Sequence, residues 1–266
     1  MKALLALLLL LVAVASCSLT FGGSGEKVTS ESKLHFEPAA GTNSIHINSF
    51  NGSVELLAAT AGSALGGTSI LHARGRTIEH AQERLRSMEW QFSQNGDTVT
   101  LILTKPEGGS GNAGGKLQHL SVPAGYDITI DSSNGHVTIP AGFENLHIDT
   151  SNGAVTIHGG KKIYVDTSNG RIEYTGSSQD FELDTSNGRI EVQLESDWNG
   201  RGVANSSNGR IAVRCNGVLD AQLHTSTSNG KPVVYGPELG KSAGAGSLDL
   251  NTSNGNITVT HAFPNE

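Results

Sequence analysis

Four aspartates recur at matching places in a repeated pattern, Asp131, Asp149, Asp166 and Asp184, and the same place is later filled by Asn205, Ser226 and Asn251. Carboxylates stacked about 5 Å apart, the spacing of neighbouring strands, repel one another, and a divalent cation relieves that repulsion. A second column, His136, Arg171, Arg189, Arg210 and Lys231, supplies positive charge nearby. The chain has neither an acidic calcium-loop signature nor a Gly-rich Asp nonapeptide, so the expectation is a solvated outward face with no metal and no cofactor. Paired carboxylates also cleave glycosidic bonds. Here the acids echo the repeat, whereas a catalytic site should break it, and Asp180, Glu182, Glu195 and Asp197 read as loop charges. Among ten histidines the nearest set, His136, His147 and His158, is spaced by eleven residues rather than at ligand spacing. No nucleophile–base constellation occurs, and Cys215 alternates with Val213 and Ile211 as a core residue would. No catalytic residue is assigned, and the expectation is a protein that is not an enzyme. Arg171, Arg189 and Arg210 remain as candidates for binding a partner, set against a plain ladder with Glu173 and Glu191.

The element that must position these columns is the phrase Ser-Asn-Gly. It recurs seven times, with its Asn-Gly at Asn134-Gly135, Asn152-Gly153, Asn169-Gly170, Asn187-Gly188, Asn208-Gly209, Asn229-Gly230 and Asn254-Gly255. A shortened form, Phe50-Asn51-Gly52, precedes them. Four before each Asn stand Ile130, Ile148, Val165, Leu183, Ala204, Thr225 and Leu250; three after come Val137, Val155, Ile172, Ile190, Ile211, Pro232 and Ile257. Two before, the residue is always Ser or Thr. Period-two alternation on both sides of Asn-Gly marks two short half-buried strands, and a recurring period of this length marks a repeat architecture. Glycine at the corner is expected to supply the left-handed or otherwise strained backbone that a corner needs.

Two architectures fit. Asn-Gly is a strong hairpin signal, which gives an antiparallel β-meander. Alternatively each unit is one coil of a β-solenoid, with Asn-Gly at a corner and like residues of successive coils in columns. A meander gives no reason for the preceding hydroxyl residue to recur. Stacked coils do, because aligned Asn and hydroxyl side chains can bond along the stack. The solenoid is therefore the expected fold, all-β with one short helix.

Residues 1–17 read as an export signal: Lys2, a Leu/Ala/Val run, then Val14-Ala15-Ser16-Cys17, which resembles the lipobox of bacterial lipoproteins. Cys17 would carry the lipid that attaches the protein to a membrane, with the outer membrane as one destination in envelopes that have two. The net charge of −7 and the lack of a Lys/Arg run argue against nucleic acid. Residues 18–32 read as a flexible tether. Residues 33–122 read as an N-terminal β region with a helix over about 77–88, from the spacing of Ile78, Ala81, Leu85 and Met88, and a hairpin at Asn95-Gly96. Lys105–Lys116 reads as a Gly-rich loop, and it fails as a phosphate loop because Leu117 follows Gly115-Lys116. Residues 123–262 form the repeat region.

The order of signal, lipobox, first strand pair, short helix, Val122-Pro123 entry and Thr-Ser-Asn-Gly-x-Ile/Val units resembles the bacterial domain-of-unknown-function family labelled "putative adhesin", over roughly residues 33–262. The resemblance implies a β-solenoid envelope protein. The expected role is that of a cell-envelope adhesin or scaffold, bound to the membrane by lipid and meeting an envelope protein or a glycan. The alternatives are a polysaccharide-processing β-helix enzyme and an envelope-stress regulatory protein.

Overall fold

The structure, a computed structural model, describes residues 26–109, 111–236 and 246–261, with the backbone of 16–20. The signal residues 1–15 lie outside it, and of Cys17 only the backbone is described. Two compact units are present, one ending at His136 and one beginning at Val137.

In the first unit, β1 (Ser16–Thr20) runs antiparallel to β2 (Glu26–Phe36), which in turn pairs antiparallel with β5 (Leu65–Gly75). β8 (Ala113–Pro123) follows, then β4 (Val54–Ala59), parallel to it. A second sheet sets β3 (Ser44–Asn48) between β9 (Asp127–Ser132) and β7 (Thr98–Leu103), all parallel. β6 (Trp90–Asn95) closes that sheet as a hairpin on β7, through Gly96 at φ 63°. Alternation selects the buried faces: Ile45 and Ile47 in β3, Val99 and Leu101 in β7, Ile128 and Ile130 in β9. Phe50, the departure in the shortened phrase, is buried as well.

The single helix among the described residues, α1 (Ile78–Arg86), packs on β5 and β2. Thr77 caps it by accepting from the His80 N–H, Glu79 lies in the first turn and Arg84 and Arg86 in the last, and Ala81 and Leu85 are buried.

Two expectations fail here. Residues 26–32, read as tether, belong to β2, where Val28 is buried and pairs with Ala73; a single buried apolar residue is enough when a long partner strand is available. Residues 113–116, read as loop, open β8. Their glycines serve packing: a Cβ on Gly114 would fall 2.1 Å from the Asn51 carbonyl oxygen, and one on Gly115 2.6 Å from Leu103 Cδ2.

The second unit is a stack of strand pairs. One sheet runs β10 (Val137–Ile139), β12 (Val155–His158), β14 (Ile172–Gly176), β16 (Ile190–Leu194), β18 (Ile211–Cys215), β22 (Ile257–His261) and β20 (Pro232–Tyr235). The other runs β11 (Asn145–Thr150), β13 (Lys162–Thr167), β15 (Asp180–Thr185), β17 (Arg201–Ser206), β21 (Gly246–Thr252) and β19 (Ala221–Thr227). Every pairing in both is parallel, with no register shift. This is the β-solenoid, and the antiparallel meander is excluded. Val155, Ile172, Ile190, Ile211 and Ile257 form one buried column; Ile148, Val165, Leu183, Ala204 and Leu250 form its counterpart in the other sheet. Tyr174, Phe181 and Trp198 add an interior run of rings with centroids 5.7 and 5.6 Å apart.

The stacking order departs from chain order. The seventh unit, β21 and β22, sits between the fifth and the sixth. Proline explains it. In β20 the Lys231 carbonyl accepts from the Ile257 N–H, so the backbone groups of the next residue, Pro232, point away from β22. At an edge its missing N–H costs nothing; inside the stack it would break a ladder. Ile257 takes the interior place.

Candidate binding surface

At each corner of the second unit the repeated residues bond to their counterparts one coil away. The Asn169 amide donates to Asn152 Oδ1 at 2.8 Å, Asn187 to Asn169 at 2.8 Å, Asn208 to Asn187 at 2.8 Å, Asn254 to Asn208 at 2.7 Å and Asn229 to Asn254 at 2.8 Å. In the first unit Asn134 donates to Asn51 Oδ1 at 2.6 Å. The hydroxyl column turns inward. Thr185 donates to the Gly170 carbonyl at 3.1 Å, Ser206 to Gly188 at 2.9 Å and Thr252 to Gly209 at 2.8 Å.

The corner glycines are needed for a different reason from the one expected. Gly170, Gly188, Gly209, Gly230 and Gly255 are not in the left-handed region. A Cβ on any of them would lie 1.8–2.1 Å from the carbonyl oxygen of the neighbouring coil's glycine. Close approach of backbones, not turn chirality, selects glycine there. Left-handed backbone at these phrases falls to Asn51, at φ 48°, and Gly135, at φ 148°.

Above the first sheet of this unit, the candidate arginines meet carboxylates. Arg171 pairs with Glu173 at 2.8 Å, while Arg189 and Arg210 share Glu191 at 3.3 and 2.9 Å. They form two separate groups, half-exposed. Pairs of this kind contribute little to stability individually, about 0.2–1 kcal/mol.

On the other sheet Asp149, Asp166 and Asp184 stand in register, as expected. Asn205 donates to Asp184 Oδ1 at 2.6 Å, and Asn251 continues to Asn205 at 3.0 Å. Burial holds the Asp184 carboxyl above its usual range, with the charges of Glu182 and Asp166 adding to the rise and the Asn205 bond opposing it. No group of three metal-ligating side chains occurs among the described residues. Asp180 and Glu182, read from the sequence as loop charges, lie in β15 and both pair with Arg201. Cys215 is buried, burial pushes its thiol up, and its Sγ donates to the Ser196 carbonyl at 3.4 Å, which is core behaviour. His147 stacks on Tyr164 in the second sheet, whereas His158 ends β12 in the first.

One outward column escaped the reading of the sequence although its period was visible there. Six after each Asn from Asn152 onward stand His158, Thr175, Gln193, Arg214, Tyr235 and Thr260. Parallel register puts them side by side in the order His158, Thr175, Gln193, Arg214, Thr260, Tyr235. None of these side chains has a hydrogen bond, ion pair or ring partner among the described residues. Five of them line a trough of about 520 Å³, whose charged wall residues besides are Glu173, Glu191 and Arg210.

No protein-family model matches the chain, and no curated protein matches it. Solved structures similar to it include the following two. One is described as a "putative cell adhesion protein" from Clostridium sporogenes ATCC 15579, at 11% identity and a TM-score of 0.38, covering 88% of this chain and 99% of that one. The other is described as a "putative adhesin" from Bacteroides fragilis NCTC 9343, at 14% identity and a TM-score of 0.43, covering 87% of this chain and 96% of that one.

Proposed function

We propose that this chain is a non-enzymatic envelope protein, exported and held to a membrane by lipid on Cys17, whose stacked β surface binds an envelope protein or a glycan. The lipobox-like Val14-Ala15-Ser16-Cys17 supports the anchor. The observation that carries the binding role is the unbroken parallel register of the second unit, which repeats each outward side chain once per coil. A rigid array of this kind gains affinity from many weak contacts engaged together. Of the acids off the repeat, Asp180 and Glu182 are held by Arg201 and Asp197 accepts from the Val218 N–H, while Glu173 and Glu191 on the other sheet are each held by an arginine.

The test has two arms. Purified chain is applied to a glycan array and an envelope-protein array, and binding to one of them is expected. Silence on both overturns the binding role. In cells, Cys17→Ala should move the protein out of the membrane fraction; retention there overturns the anchor.

A further inference from the structure

The row His158, Thr175, Gln193, Arg214, Thr260 and Tyr235 differs from the columns around it. Around it the asparagines bond to asparagines, the threonines Thr167, Thr185 and Thr252 to glycine carbonyls, and the arginines to glutamates. In this row donors and acceptors are left facing outward, one per strand. We propose that it is the track on which a linear, neutral glycan lies, crossing the strands at right angles. The proposal rests on the binding role argued above and narrows it to one face and one ligand class.

Four features support that class. The first is shape: the trough crosses five strands, β12, β14, β16, β18 and β22, and so runs roughly 19 Å at ~4.8 Å per strand, long and open like a polymer site. The second is charge. The lining holds two arginines, Arg210 and Arg214, and two glutamates, Glu173 and Glu191, so it is balanced, and the chain as a whole carries −7, which repels polyanions. Hydroxyl, amide, imidazole and guanidinium groups in one row both donate and accept, which matches a polyol whose hydroxyls do the same. The third is Tyr235, 58% exposed at the stack's edge and in register with Thr260, an aromatic face with a polar tip that can cover the apolar face of a sugar ring. The fourth disfavours a peptide. Sheets recognise extended peptides by lending an edge strand's main-chain groups, and the five strands under this trough are paired on both sides or, for β12, parallel-paired to β10 and β14.

The full chain is titrated calorimetrically with neutral linear oligosaccharides, namely β-glucan, mannan, galactan and xylan fragments of two to eight units. Oligogalacturonates and extended peptides of matched length serve as comparison, and the envelope-protein array is run in parallel. At least one neutral series should bind, with affinity rising with length until about six units are reached. Gln193→Ala and Arg214→Ala should each weaken it by about tenfold, as loss of a charge-assisted or paired hydrogen bond does. Tyr235→Ala should weaken only the longer oligomers. All three side chains are exposed, and an unchanged circular dichroism spectrum would confirm that these variants fold. Binding that ignores Gln193 and Arg214, a preference for galacturonates or peptides, or a bound envelope protein with no neutral glycan would overturn this assignment while leaving the broader binding role standing. Silence in every arm would remove both.

Discussion

Ile257 lies directly beside Ile211 in a parallel ladder, although 46 residues separate them, and Pro232 lies beyond Ile257 at the edge. The stack is thus ordered by which coil can tolerate two neighbours rather than by which comes next in the chain. Ile257→Pro should remove the N–H that donates to the Lys231 carbonyl at 3.2 Å and empty part of a fully buried site. A loss on the order of 3 kcal/mol is expected in urea unfolding. Pro232→Val should shift the midpoint by less than about 0.5 kcal/mol, since the groups it alters face outward. Equal losses at the two positions would refute the edge assignment.

Glycine has two separable roles in this chain, and one pair of substitutions tells them apart. A Cβ on Gly188 would meet the Gly170 carbonyl oxygen at 1.8 Å, so Gly188→Ala forces two coils apart and should cost at least about 3 kcal/mol. Gly96, at φ 63° with nothing within 4 Å of its Cβ position, pays only for backbone conformation. Gly96→Ala should cost about 1 kcal/mol. Thermal unfolding of both variants gives the comparison. If the Gly188 variant lost no more than the Gly96 variant, the close backbone approach would be wrong.

The parallel stack was legible because identity recurred where only an aligned column needs it. The hydroxyl two before the later Asn residues has its reason in bonds such as that from Thr185 to Gly170, which no hairpin would require, whereas the hydroxyls of Ser132 and Thr150 are buried without a partner among the described residues. The seventh coil's insertion was not read, although Pro232 carried the clue, because a departure from pattern says that a position is unusual and not where it goes. The unpartnered row at Gln193 and Arg214 had the same period as the rest. It was passed over because its residue types vary, and only coordinates show which polar groups are already satisfied. The tether ended sooner than expected because β2 pairs along its length with β5, a long-range partnership that local composition around Glu26–Ser32 does not record.

Asp184 is the acid of the stacked column whose charged form burial disfavours. Burial together with Glu182 and Asp166 raises its carboxyl, so just above the usual aspartate range the folded chain holds a proton that the unfolded chain has released. Stability therefore falls as pH rises through that window and stays lower at neutrality. Asp184→Asn keeps an acceptor for the Asn205 amide and removes the repulsion, extending the amide ladder of Asn205 and Asn251 by one place. A gain of about 0.5 kcal/mol at pH 7 that disappears toward pH 3 is expected from urea midpoints. A loss at pH 7 would mean that the carboxylate is stabilising.

Tyr174 governs the alkaline limit. Its ring is buried against Phe181, and its Oη accepts from the Ser178 N–H at 2.6 Å. Burial pushes the phenol from 10.0 up to about 12, with the Glu195 charge adding and the Ser178 bonds opposing. Below pH 10 the folded and unfolded chains are both protonated at this site and it confers no pH dependence. Between about 10 and 12 the unfolded chain gives up its proton while the folded chain retains it, so stability declines across that interval. Burial also raises Tyr126 and Tyr164, so Tyr174→Phe should make this decline shallower without abolishing it. At pH 8 the same variant should be less stable by about 1–2 kcal/mol, because the Ser178 N–H loses its acceptor in a buried place. Urea midpoints at pH 8, 10 and 11 provide both readings, and an unchanged slope above pH 10 would show that this phenol is not the group that titrates with unfolding.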